Sequence, residues 1–305
     1  MSLTPTAFAE LAVDARAEAG ESPWWSAAER CLYWVDIHGR RLHRFDVETG
    51  ADRGWLMPDL VTFVATHARG GLVVALRDRV CHIDLATETF RVLARPPLPP
   101  GGGRLNDGTT DARGRLLIGS MVSAAQTPGV NTDAAAALHR IDTDGACVTL
   151  LDGFRTVNGL AFAPDGRTLY VSDSHPSVRT IFACDYDPAS GEIGARRDFV
   201  ATHDLPGRPD GGCVDVEGCY WMAAVDGGCL LRFDPGGKLV GSLAVPVEKP
   251  SKAAFGGNAL DVVFITSLRR NLRTPLAQQP HAGSLFVARS GVRGVRLADC
   301  AVALR

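Results

Sequence analysis

The sequence predicts an all-β chain folded as a six-bladed β-propeller, with four-stranded antiparallel blades around a central channel and residues 1–305 forming one domain. Three observations carry that prediction. Short apolar runs recur six times at intervals of about 40 to 55 residues, the spacing of propeller blades. Most of these runs are followed by a second strand-like segment that ends in an Asp and a turn-forming stretch. No convincing amphipathic helical segment and no Pro/Ser-rich linker interrupts the series.

Taken in order, the runs are CLYWVDI around Tyr33, GLVVAL around Val73, RLLIGSM around Leu117, TLYVSDS around Tyr170, CYWMAAV around Trp221 and VVFITSL around Phe264. Their companions are RRLHRFDVETG, RVCHIDLATET, ALHRIDTDG, IFACDYDPASG and CLLRFDPGG. Asp, Asn and Gly suit the turns that end these segments because they tolerate positive φ or bond the local backbone, and Pro pre-sets φ. Ahead of three runs stand the tight turns Asp111-Ala-Arg-Gly114, Pro164-Asp-Gly166 and Asp215-Val-Glu-Gly218, which join strands as hairpins. Each unit therefore reads strand, turn, strand, loop, strand, turn, strand. Six such units set radially leave only short, protected edges. Residues 1–13 form an N-terminal segment assigned to the last blade. The competing architecture, two β-sandwich domains, lacks a composition shift to mark a boundary.

Composition narrows the function classes. The apolar fraction of 46% supports a sizeable core, and 33 Gly with 18 Pro agree with many turns. Net charge is −2 with both signs interspersed, so no basic run points to nucleic acid. No segment approaches the roughly 20 apolar residues of a membrane span. The N-terminus lacks the basic start and continuous apolar core of a secretory leader, and the expected location is the cytoplasm. Eight Cys occur without a C-x-x-C pair, mostly in apolar runs, and are expected to be buried thiols. Nothing in the sequence speaks to oligomeric state.

A polar residue recurs at one phase of four units. Counting back 11 or 12 residues from Tyr33, Leu117, Tyr170 and Trp221 reaches Glu21, Asn106, Asn158 and Asp210. Each lies near the start of a first strand, which in a propeller lines the channel. Equal phase then means equal radial position, so the four should converge at one mouth. The matching places in the other two units hold Val61-Thr62 and Lys252-Ala253. Burying two carboxylates and two amides together is costly without compensation. A bound cation removes the cost, and hard oxygen ligands suit Ca²⁺, Mg²⁺ or Mn²⁺, with Zn²⁺ or Fe²⁺ also compatible. Singly, Asn-Asp-Gly and Pro-Asp-Gly are ordinary turn tripeptides; four residues in one phase point to a site. Other chemistries find little support: there is no G-x-S-x-G elbow and no H-E-x-x-H helix, and the eight His are scattered. Gly101-Gly-Gly103 reads as a loop, and Trp24 and Trp25 read as packing between blades.

Five ordered motifs carry a resemblance. They are GESPWW (20–25), RLNDGTTDARGR (104–115), NGLAFAPDGRTLY (158–170), PDGGCVDVEG (209–218) and VEKPSKAAFGG (247–257). Through them the chain resembles the regucalcin/gluconolactonase family, which includes senescence marker protein and luciferin-regenerating-enzyme-like proteins, from about Asp14 to Val287. The resemblance implies a six-bladed propeller with one divalent metal held by Glu21, Asn158 and Asp210. Arg104 and Asn106 would contact substrate, and Asp210 would serve as, or orient, the base. The implied reaction is metal-dependent hydrolysis of a pentose- or hexose-derived aldonolactone to the aldonic acid. One departure stands out: some relatives carry an acidic substrate contact shortly after a G-[ST]-M motif, whereas here no acid follows Met121 until Asp133. Two rival readings remain, an aryl-ester or organophosphate hydrolase using the same metal, and a non-enzymatic metal-binding propeller.

Overall fold

A computed structural model describes residues 7–122 and 133–304. Two short strands, β1 (Ala7–Phe8) and β2 (Glu10–Val13), precede the first blade. That blade comprises β3 (Gly20–Ser26), β4 (Cys31–Asp36), β5 (Arg41–Asp46) and β6 (Asp52–Leu56). The second holds β7 (Val61–Thr66), β8 (Leu72–Leu76), β9 (Val80–Asp84) and β10 (Thr89–Ala94). The third holds β11 (Arg104–Thr110), β12 (Leu116–Met121), β13 (Ala136–Ile141) and β14 (Cys147–Phe154). The fourth holds β15 (Val157–Phe162), β16 (Thr168–Asp173), β17 (Thr180–Tyr186) and β18 (Ile193–Ala201). The fifth holds β19 (Arg208–Val214), β20 (Tyr220–Val225), β21 (Cys229–Phe233) and β22 (Leu239–Ala244). The sixth is built on β23 (Pro250–Gly256), β24 (Val262–Ser267) and β25 (Leu285–Arg289). The result is the expected six-bladed propeller. Its only helical turn among the described residues is a 3₁₀ segment at Leu276–Gln278, and no helix there is long and apolar enough to cross a membrane.

The innermost strands β3, β7, β11, β15, β19 and β23 each touch the next, and β23 touches β3, which closes the ring. In the sixth blade the fourth strand is β2, paired antiparallel with β25 so that Glu10 faces Val287 and Leu11 faces Phe286. The start of the chain thus completes the blade at the other end of the sequence. β1 adds a parallel fifth strand to β22.

The Asp residues of the repeat hold the turns. Asp111 Oδ1 accepts the amides of Arg113 at 2.9 Å and Arg115 at 3.0 Å, and Gly114 takes a φ of 76° that closes the hairpin. Asp215 repeats this with Glu217 and Cys219 in the fifth blade. Asp46, Asp84, Asp187 and Asp234 do the same between third and fourth strands. Local side-chain acceptors of this kind replace ladder bonds at a tight reversal.

Packing between blades is aromatic and aliphatic. Trp24 meets Phe63 edge-on at 5.8 Å and Trp25 stacks on Phe264 at 5.9 Å, each across a blade boundary. All eight Cys are unpaired thiols, five buried and three half-buried.

One irregularity recurs in every blade. The pairing of inner and second strands slips between Glu21 and Trp24, Val61 and Phe63, Leu105 and Gly108, Asn158 and Ala161, Pro209 and Gly212, and Pro250 and Lys252. These six bulges share one phase. A bulge bends its strand and re-aims a side chain, and such features concentrate at barrel rims and beside sites. At the opposite end of the inner strands a C-terminal segment crosses the face. It bonds to blade five through Val216 N–H to Arg293 O, to blade two through Cys300 N–H to Thr66 O, and to blade three through Ala301 N–H to Gly114 O.

Candidate active site at the channel mouth

The bulges set the candidate site. Ser22 follows Glu21 with a φ of 49°, and Gly159 follows Asn158 with a φ of 63°, so both strands leave extended geometry immediately after the polar residue. The left-handed region is costly for a side chain such as Ser22 and needs surrounding contacts to persist. Ser22 has them: its amide donates to Glu21 Oε2 at 2.9 Å, and its Oγ accepts Val64 N–H at 3.0 Å from the next blade.

The side chains meet within the channel. Asn106, Asn158 and Asp210 are 7%, 5% and 8% exposed, and Glu21 and Arg104 are half-buried. Asn158 Nδ2 donates to Asp210 Oδ1. Arg104 Nη1 donates to Asn106 Oδ1 at 2.6 Å and to Leu105 O at 2.9 Å. Asn106 Nδ2 in turn donates to Val157 O at 2.9 Å, the carbonyl just before Asn158. A chain of bonds therefore runs from Arg104 through Asn106 to the backbone beside Asn158, and a further one joins Asn158 to Asp210. The amide of Asn106 is engaged at both ends, and one of those ends fixes the guanidinium.

Electrostatics link the same residues. Burial pushes the Asp210 carboxyl up to about 7; the charge of Asp107 adds to this, while Arg208 and the Asn158 amide oppose it. Burial also raises Glu21 well above the usual carboxylate range, reinforced by Asp210 and Asp107 and opposed by Lys252. Arg104 is pulled down to about 10 by burial, with Glu21 and Asp210 acting to hold its proton. Two carboxylates with raised affinity for protons, one buried and one half-buried, are hard oxygen donors short of positive charge. The donor set fits a divalent cation of the oxygen-seeking class. Among the described residues no three His, Cys, Asp or Glu side chains meet at one point, so an ion here would draw on an amide oxygen as well as Glu21 and Asp210.

Two residues of this neighbourhood escaped assignment from sequence. Asp107 sits mid-strand in β11, 4% exposed, although Asn106-Asp107-Gly108 reads as a turn tripeptide. Its Oδ1 accepts Gly108 N–H at 2.8 Å and its Oδ2 accepts Leu160 N–H at 3.0 Å from the neighbouring blade. Lys252 stands at the site phase of blade six and donates from Nζ to Asp107 Oδ1. The available signal was a charged residue at a channel-lining phase. The stretch after Met121, where an acidic substrate contact is missing, falls largely on residues 123–132, outside the described residues.

A cavity of about 290 Å³ opens at the other end of the channel, lined by Trp25, Thr109, Phe162, Phe255 and Leu297 among others. Neither Glu21, Arg104, Asn106, Asn158 nor Asp210 lines it. Lys252, Gly108 and Leu160 line its inner end, so the cavity reaches the residues that adjoin the polar cluster from the opposite side.

The sequence profile of the SMP-30/gluconolactonase/LRE-like region matches residues 19–269, from just before Glu21 to just past the innermost pair of blade six. The chain belongs to the SMP-30/gluconolactonase/LRE-like family. Within that family it is 34% identical to 6-deoxy-6-sulfogluconolactonase of Pseudomonas putida, over 90% of this chain and 92% of that one. It is 35% identical to L-arabinolactonase of Azospirillum brasilense over 96% of each chain. In three dimensions it superposes on regucalcin of Agrobacterium tumefaciens with a TM-score of 0.88 at 24% identity, covering 100% of this chain and 99% of that one, which speaks to the shared fold.

Proposed function

We propose that the protein hydrolyses a sugar lactone, opening a pentose- or hexose-derived aldonolactone to the aldonic acid, with one divalent cation held by Glu21, Asn158 and Asp210. The observation that carries this reading is the burial of Asn158 and Asp210 in contact, with Glu21 close enough for Asp210 to raise its proton affinity. Family membership and relatives named as lactonases support the reaction class. When bound, the ion acts as a Lewis acid on an ester carbonyl and lowers the pKa of water.

The residues of the chain supply the rest. Asp210 stands at the site as a carboxylate placed to accept a proton. It takes a proton from water as the water oxygen bonds to the carbonyl carbon. The ring C–O bond then breaks, and the ring oxygen takes that proton back from Asp210 and leaves as the hydroxyl of the open acid. Asn158 donates to Asp210 and fixes the direction of its carboxylate. Arg104 presents a rigid fork of donors to the sugar hydroxyls, steadied by Asn106. Arg104 and Asn106, beside two carboxylates, make a polar site suited to a polyhydroxylated substrate more than to an aryl ester or organophosphate.

The test is acid release from a panel of pentono- and hexonolactones by the purified protein, before and after chelation, with a phenyl ester and an organophosphate as comparators. The expected result is lactone opening well above the spontaneous rate, lost on chelation and restored by a divalent ion. Faster turnover of the phenyl ester or organophosphate would transfer the site to the rival hydrolase class. No turnover of any substrate by ion-loaded protein would leave the non-enzymatic propeller standing.

A further inference from the structure

We propose that Lys252 and Asp107 form a strut across the channel that positions Asn106, Asn158 and Asp210, making Lys252 a positioning residue of the site. Both residues are buried, at 6% and 4% exposure. Lys252 starts on blade six and reaches Asp107 on blade three, with Gly108 O also 3.3 Å from its ammonium. Its stem passes over Gly211 of blade five so closely that a Cβ there would stand 2.3 Å from Lys252 Cγ and 2.4 Å from its Cβ. Asp107 then bonds Leu160 N–H of blade four.

Each contact falls beside a site residue. Asp107 adjoins Asn106, Gly211 adjoins Asp210, and Leu160 lies two residues beyond Asn158. One ion pair thereby touches the bulges of blades three, four and five from blade six. A buried ion pair adds little net stability over an apolar pair of the same shape, but it fixes geometry, and losing one partner strands the other. The direction of Asn158 and Asp210 depends on where their bulges sit, and the strut determines that.

The inference rests on the reading of Glu21, Asn158 and Asp210 as ion ligands, so the experiment carries a second readout that needs no ion. Mn²⁺ affinity is measured by titration calorimetry, well below each melting temperature, for the wild type, Lys252→Met, Asp107→Asn, the double variant and Gly211→Ala. Hydrogen exchange of the Leu160 amide is followed in the same proteins. The strut predicts at least tenfold weaker Mn²⁺ binding in each single charge variant, and a double variant much less impaired than the product of the two. Gly211→Ala removes no charge, yet displaces the lysine stem and also weakens binding. Leu160 protection drops at least tenfold in Lys252→Met. Wild-type Mn²⁺ affinity in folded Lys252→Met, or unchanged Leu160 protection, overturns the proposal. If the wild type takes up no ion, the ligand reading fails, and the strut stands or falls on Leu160 exchange.

Discussion

Asp210 and Glu21 are acids whose surroundings favour the proton, and this has a consequence for stability. Asp210 titrates near 7 in the folded chain against an ordinary 3.8, and Glu21 shifts in the same direction. Between the two values the folded chain retains a proton that the unfolded chain has released. The linked stability is therefore complete below pH 3.8 and is lost as pH rises through 7. The ion-free protein is expected to melt at a lower temperature at pH 8 than at pH 5.5, and saturating divalent ion should remove the deficit. Melting curves at both pH values, with and without ion, check this; a higher midpoint at pH 8 in the ion-free protein contradicts it. Asp210→Asn should also lower kcat/KM by about 100- to 10,000-fold, the usual contribution of a general base, while the fold persists. The candidate residues were readable because they recur at one phase of a repeat. Lys252 shares that phase, but its pairing with Asp107 was not readable, since an Asn-Asp-Gly triplet suits a turn as well as a strand, and the two partners lie 145 positions apart.

At the scale of the element, the six bulges bend the inner strands beside the candidate site. In blades three, four and five they include glycines that admit a close neighbour. Gly159 combines a φ of 63° with a position where a Cβ would stand 2.4 Å from the Tyr220 hydroxyl oxygen. Gly159→Ala is expected to cost on the order of 1–3 kcal/mol from backbone conformation alone, with the clash adding to it. Tyr220→Phe, which removes the hydroxyl donating to Gly159 O at 2.9 Å, is expected to cost about 1 kcal/mol. Denaturant unfolding of both variants measures these effects, and a Gly159→Ala protein as stable as the wild type would show that the bulge is not constrained. Strands and turns were legible because apolar runs and Asp-led reversals leave a mark on residue type. A bulge leaves none: it is a slip in pairing, visible only once two strands lie side by side.

For the whole molecule, closure is noncovalent. The sixth blade is complete only when β2 pairs with β25, so a few residues near the start of the chain add to the packing of β23 on β3 that closes the ring. Deleting residues 1–13 should lower the melting midpoint by about 5 °C or more and leave β25 as an open edge prone to association. Calorimetry and size-exclusion chromatography read the two effects, and an unchanged midpoint would mean that closure rests on blade packing alone. The C-terminal crossing of the far face was invisible in the sequence, because residues 292–304 carry no periodic pattern and are ordered by backbone bonds to other blades. The blade repeat, by contrast, spans the chain and predicted the architecture. The radial geometry that closes the ring also carries Glu21, Asn158 and Asp210, scattered through the sequence, to one mouth. The most direct test of their joint role is a calorimetric titration of chelator-treated protein with divalent ions. One ion per chain for the wild type, and none for Glu21→Ala, Asn158→Ala or Asp210→Ala in folded form, is the expected result. A wild type that binds no ion, or variants that bind as the wild type does, would contradict it.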